Sequence, residues 1–429
     1  MKINNFLKST LILIIGGCIT KILGLIIKIY YTRLLHDDGI SLYALIMPTY
    51  SLLLSISNFN IMLSVSKRIS ETKHAKKTII NALYLMFALN SLLVIIMILS
   101  SKIIAINLLK NKDTYLPLIA ATLTIPFISI GYIVKGYFYG KQNVLPHMIS
   151  NIIEQIFRLL IIIIILPHVL KYGKVISVTT LILITILNES ISMLVFFIFL
   201  PNKINIKKED LIYDNNETKE LIKISLPSVT SRIIANIGFF LEPIIITNIL
   251  LNQGIPNNYI TLEYGAYNAY AISTLLFPSF FITAISNTLL PEISKLNSER
   301  NITEIKKRIK ESLLLSLTIG ILCTSFIYIF KETLLLKLYN TQKGINYIKI
   351  LAPFFILYYI ESPLSTILIS LNKIKQCSFI NISSIFIKLI VLTILLLYKF
   401  NMLALVISEI INILFITISE LILLNKTIS

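Results

Sequence analysis

Residues 11–43 read LILIIGGCITKILGLIIKIYYTRLLHDDGISLY, and this stretch decides the fold. Its apolar run is long enough to cross a bilayer as a helix, which takes about 20 residues. Yet Lys21 sits in its middle, Lys28 near its far end and Arg33 just beyond. A lysine in hydrocarbon costs about 2.5–3.5 kcal/mol, so it normally faces protein or a watery cavity. Lys21 and Lys28 are about two helical turns apart and share one face. That face is the first candidate for a surface meeting an anionic substrate. For Lys28 the competing reading is a side chain that reaches back to the headgroups.

The rest of the chain repeats the theme. Its 429 residues are 56% hydrophobic and 14% charged, against about 25% charged in soluble domains. Apolar runs recur at 8–30, 41–64, 78–100, 115–139, 148–170 and 175–200, and again at 221–251, 264–290, 311–330, 345–370, 377–398 and 401–424. These read as about twelve spans of an all-α polytopic membrane protein. The start carries Lys2 and Lys8 before its apolar run, like a signal peptide, but shows no small-residue cleavage site, so it reads as a retained first span. The polar stretch from Pro201 to Glu220 separates two six-helix lobes, 1–205 and 221–429, with 206–220 as a cytoplasmic linker. With both termini cytoplasmic, inside segments hold roughly twice the Lys and Arg of outside loops, as the positive-inside rule requires.

The net charge of +18 fits basic loops facing anionic lipid rather than nucleic acid. Cys18, Cys323 and Cys377 are scattered and form no CxxC, so neither a disulfide framework nor a zinc site is expected. No P-loop, HExxH or GxSxG sequence occurs. The four histidines, His36, His74, His147 and His168, do not cluster. No catalytic residue, metal site or cofactor is therefore expected.

The halves resemble each other. Phe6-Leu7-Lys8-Ser9 parallels Leu221-Ile222-Lys223-Ile224-Ser225, and Gln155-Ile156-Phe157-Arg158-Leu159 in span five parallels Ser384-Ile385-Phe386-Ile387-Lys388 in span eleven. Six spans per half give parallel repeats, and a cavity between the bundles is the expected substrate site.

Ionisable residues inside spans mark function. Here they are Lys21, Glu154, Arg158, Glu189, Arg232, Glu242, Glu361, Lys388, Glu409 and Glu420. Glu154 and Arg158 are spaced to pair along one helix. Arg232 and Glu242 share a span but stand too far apart to pair, which leaves Arg232 for the cavity or for an acid on another helix. Glu242 precedes Pro243, where a helix loses a hydrogen bond, so this carboxylate suits gating or ion coupling; Glu361 before Pro363 repeats the arrangement. Glu409 and Glu420 lie near the ends of the last span, where solvent would satisfy them, and receive no role.

At these residues the chain resembles the stage V sporulation protein B branch of the polysaccharide flippases, within the superfamily of multidrug/toxin extruders and lipid-linked oligosaccharide flippases. The resemblance rests on Phe6 to Leu13, Thr20-Lys21-Ile22-Leu23-Gly24, Tyr31-Thr32-Arg33-Leu34-Leu35, Ser231-Arg232-Ile233-Ile234, Phe240-Leu241-Glu242-Pro243, Tyr264-Gly265-Ala266-Tyr267, and Ala284 to Lys295. His36 stands where that family usually has Gly, and Asn60 and Met62 replace an expected Gly and Pro. Many relatives have fourteen spans rather than twelve.

The resemblance implies two lobes with alternating access and a substrate on a polyprenyl diphosphate carrier, such as lipid II, in the cell membrane, without enzymatic activity. Lys21, Lys28, Arg33 and Arg232 would then supply cations for the diphosphate, with cell-wall synthesis enzymes as partners. Three other readings compete: a drug or cation antiporter of the same fold, which wants acids in the cavity; a membrane glycosyltransferase, which short outer loops disfavour; and a non-transporting scaffold.

Overall fold

The computed structural model describes residues 5–71, 75–200 and 211–428, with side chains from residue 16 onward. Lys73, His74, the side chains of the 6–13 motif and residues 201–210 of the polar stretch lie outside it. No β-strand occurs among the described residues.

The order is α1 (Asn5–Asn58), α2 (Ile61–Glu71), α3 (Ala75–Ile103), α4 (Tyr115–Gly140), α5 (Leu145–Val169), α6 (Lys174–Ile198), α7 (Asn215–Asn252), α8 (Asn257–Gly265), α9 (Ser273–Leu276), α10 (Ser279–Ser298), α11 (Ile302–Tyr339), α12 (Ile345–Ser370), α13 (Ile374–Leu397) and α14 (Leu403–Ile428). Among the described residues, 10 helical runs are long and apolar enough to span, or 11 with the bent run Asn257–Ser298. The Gly16–Glu71 run is 56 residues long, roughly 84 Å, against about 30 Å of hydrocarbon. It therefore holds two crossings, which brings the number to about the twelve expected.

The break inside α1 falls at His36 (φ 52°, ψ −173°), and the break between α1 and α2 at Phe59 and Asn60 (φ 44° and 48°). Both departures from the expected glycines thus stand at left-handed positions, where a side chain costs about 1–3 kcal/mol of strain. The span expected over 264–290 falls within two helical pieces, Asn257–Leu276 and Ser279–Ser298, bent by 51°. Phe277 and Pro278 mark the bend, since proline cannot donate to the helix ladder.

The chain divides into two compact units, Met1–Phe240 and Leu241–Ser429, with the division inside α7. In the first unit α4 is central and packs against α1, α2, α3 and α6. Its Gly136 and Gly140 let the backbones close: an added Cβ would stand 2.9 Å from the Met62 carbonyl and 2.8 Å from that of Ser66. This is small-residue packing at a four-residue spacing. Ile61, Val65, Met86, Ile133 and Leu221 fill the core beside it. In the second unit α12 holds the same place, against α10, α11 and α14, around Leu289, Ile293, Leu364, Ile367 and Leu424.

A polar seam fastens the start of α7 to the first unit. Arg68 donates to both carboxylate oxygens of Glu217. Thr78 donates to Glu217 at 2.7 Å, Ser225 to Ser64 at 2.8 Å and Asn236 to Ser55 at 2.6 Å. Lys77 lies 2.6 Å from Asp214. That bond, with the Asn216 backbone N–H, holds the Asp214 carboxyl below its ordinary range.

Candidate functional site

Three helices of the second unit carry charge into its interior. Glu242 comes from α7, Lys388 from the middle of α13 and Glu409 from the second turn of α14. The Lys388 ammonium lies 2.6 Å from Glu242 Oε2 and 2.6 Å from Glu409 Oε2. The three side chains are 17%, 2% and 16% exposed in the order Lys388, Glu242, Glu409, so solvent does not screen them. Tyr264 donates to the other Glu242 oxygen at 3.4 Å. Two carboxylates share one ammonium, which leaves the cluster one negative charge in excess.

This arrangement gives Lys388 its reason to be in a span: a buried charge is tolerated when paired and hydrogen-bonded. It also corrects the view of Glu409 as a solvated end residue. Glu420, the other such residue, is fully buried and accepts from Ser365 at 2.5 Å, while its second oxygen has no partner among the described residues. Glu361 sits half buried on α12. Pro243 lies within α7, which continues to Asn252.

The first unit holds a looser cluster. Lys135 and Glu189 stand 3.9 Å apart, both about nine-tenths buried. Among the described residues no ion pair joins Glu154 to Arg158, and the Arg158 Nε is without a hydrogen-bond partner. The sequence spacing allowed that pair; the tertiary packing gives Glu189 a lysine from α4 instead.

The cationic residues singled out from the sequence all lie in the first unit. Lys21, Arg33 and Arg232 are exposed and Lys28 is half buried. Neither Lys21 nor Arg232 has an acid within ion-pair distance among the described residues. Sequence reasoning missed Lys388 and Glu409 as site residues. The signal was present in outline: a mid-span lysine needs a counter-charge, and the acids within the second half's spans were few.

Comparison with known proteins accords with this picture. The family described as Polysaccharide biosynthesis protein matches residues 6–297, and the MatE family matches residues 265–395. Stage V sporulation protein B of Bacillus subtilis is 30% identical over 378 residues, covering 86% of this chain and 73% of that protein. Lipid II flippase MurJ of Bacillus subtilis is 25% identical over 174 residues, 37% of this chain and 31% of that one. An inward-facing multidrug resistance MATE family transporter superposes with a TM-score of 0.77 at 14% identity, over 95% of this chain and 94% of that chain. The last likeness is one of fold alone. Spans, buried charges and relatives together make this a multi-pass membrane protein of the transporter and flippase class, not an enzyme. The chain belongs to the polysaccharide biosynthesis protein family and has the MATE transporter fold.

Proposed function

We propose that the chain flips a polyprenyl-diphosphate-linked saccharide across the cytoplasmic membrane by alternating access, with a peptidoglycan precursor of the lipid II type as cargo and spore cortex as one destination. The observation that carries this reading is the set of basic residues on membrane helices of the first unit, Lys21, Lys28, Arg33 and Arg232, of which Lys21 and Arg232 have no acidic partner among the described residues. A diphosphate is the ligand chemistry such cations suit, because charge-assisted contacts to phosphate are strong where water is scarce. The names of the sporulation and lipid II relatives support the cargo class. In this reading 1–205 and 221–429 act as the two lobes, 206–220 links them, and both termini face the cytoplasm. Glu242, Pro243 and Glu361 form the gating and ion-coupling element, and cell-wall synthesis enzymes receive the product.

Lys21→Ala and Arg232→Ala test the reading. Each should abolish complementation of a flippase-deficient strain while the protein still accumulates in the membrane. Full complementation by both would refute the cationic site.

A second reading, a drug or cation antiporter, draws on the buried acids Glu242 and Glu420 and on the fold of the multidrug transporter. Drug susceptibility of a deletion strain separates the two. Accumulation of carrier-linked precursor without altered susceptibility supports the flippase.

A further inference from the structure

The first unit holds a cavity of about 430 Å³ between α3 and α4. Small-molecule sites run from about 300 to 1,000 Å³. Its floor is made by Met86, Asn90 and Ile133, all buried, and its rim by Tyr84, Phe87 and Ile130, all exposed. Phe87 is 76% exposed, so the mouth is apolar and aromatic. Tyr84 forms a fixed wall. Its hydroxyl donates to the Leu211 carbonyl at 3.0 Å, and its ring meets that of Tyr213 edge to face. Pro126 lines the α4 side, where a helix loses a backbone hydrogen bond.

Asn90 is the exception in this lining. It is 3% exposed, and its Oδ1 has no hydrogen-bond partner among the described residues. It stands in the middle of α3, about 20 Å from either end. At that depth a span is surrounded by hydrocarbon rather than water. A buried acceptor left unbonded is costly, and such a group calls for an explanation. The cavity and the unmatched acceptor on its floor point to the same answer.

We propose that this cavity binds a neutral, ring-bearing membrane amphiphile with one hydroxyl, which enters from the bilayer past Phe87 and donates to Asn90 Oδ1. The ligand is neutral because no charged side chain lines the cavity, and an unpaired charge in a dry site is expensive. It carries a ring because Tyr84 and Phe87 offer aromatic faces and edges at the mouth and Met86 a sulfur on the floor, all of which suit aromatic partners. It carries a donor because a plain acyl chain would leave Asn90 unmatched. A helix of another protein would rest on the exposed rim and leave Asn90 unmatched as well. The volume admits about 14 water-sized groups, so one ring with a short alkyl tail fills it. The site shares no residue with the cations assigned to the cargo, and the proposal does not rest on the flippase reading.

The test uses the full chain in lipid nanodiscs and a photoactivatable probe, para-octylphenol with a diazirine on its octyl chain. Labelled peptides are mapped by mass spectrometry. Labelling should concentrate on residues 83–94 and 126–133. Unlabelled para-octylphenol should compete at a concentration at least about tenfold below that of its methyl ether, which keeps the body and loses the donor. Asn90→Leu keeps the approximate shape and removes the acceptor, so the two competitors should become equivalent. Ile130→Trp fills the mouth and should remove the labelling, with a melting profile taken alongside to show that the chain is folded. If that variant fails to fold, the phenol and ether comparison in the wild type and in Asn90→Leu decides alone. Equal competition by phenol and ether in the wild type overturns the proposal and leaves water as the partner of Asn90. Labelling spread evenly over the exposed helices overturns it too, as partition of the probe into the bilayer only. Unchanged labelling in folded Ile130→Trp puts the probe elsewhere and overturns it as well.

Discussion

Removing the Lys388 charge is the sharpest perturbation the structure offers. At an effective dielectric of about 20, each of its two 2.6 Å contacts is worth about 6 kcal/mol of Coulomb attraction. The two carboxylates, bound to one nitrogen, stand no more than about 5 Å apart and repel each other by about 3 kcal/mol on the same scale. Desolvation offsets much of the attraction in the intact cluster. In Lys388→Met the attraction goes and the repulsion stays, with two carboxylates buried and unpaired. Breaking a buried pair in this way costs about 3–5 kcal/mol.

The triple variant Lys388→Met, Glu242→Gln, Glu409→Gln leaves no charge behind, and it should recover most of that loss, since neutral replacement of a whole buried ion cluster is often tolerated. Melting followed by size-exclusion chromatography in detergent reads both. The single variant should lose on the order of 10 °C, and the triple variant should return most of it. A single variant that melts with the wild type, or a triple variant no more stable than the single, would show that Lys388 is not held by these two acids.

Three further outcomes follow from local geometry. Gly136→Val drives a side chain against the Met62 carbonyl and Val65 and should cost about 1–3 kcal/mol by overpacking, read as a lower melting temperature; an unchanged value would mean α2 and α4 are not closely packed there. His36→Gly frees a residue held at φ 52° and should raise stability by up to about 1 kcal/mol, whereas a fall would show that the imidazole makes a contact worth more than the strain. Arg68→Ala strands Glu217 and should cost about 1–3 kcal/mol, with faster amide exchange over 211–225; unchanged exchange there would argue that the seam does not hold α7.

Much of the fold was legible in the sequence because a span announces itself locally. Twenty or so apolar residues in a row have no other stable home, so α3, α4, α5, α6, α13 and α14 fall close to the runs read from composition. Breaks within the helical runs were less legible. His36 and Asn60 hold left-handed conformations that glycine would have advertised, and the run read as a span over 264–290 bends at Phe277 and Pro278. The site was legible only as a census. Lys388, Glu242 and Glu409 could each be picked out as a charge in oil, and Glu154 and Arg158 looked equally well matched.

By itself, then, the sequence determined that this is a helical membrane protein, about how many times it crosses, and which charged side chains the bilayer would have to tolerate. It did so because the cost of exposing backbone or charge to hydrocarbon is a property of the residue and its immediate neighbours. Only the tertiary structure decided which charges meet: that Lys388 lies between Glu242 and Glu409, and that Lys135 takes Glu189. Ion pairing depends on distance in space between helices far apart in the chain, and spacing along one helix carries no record of it.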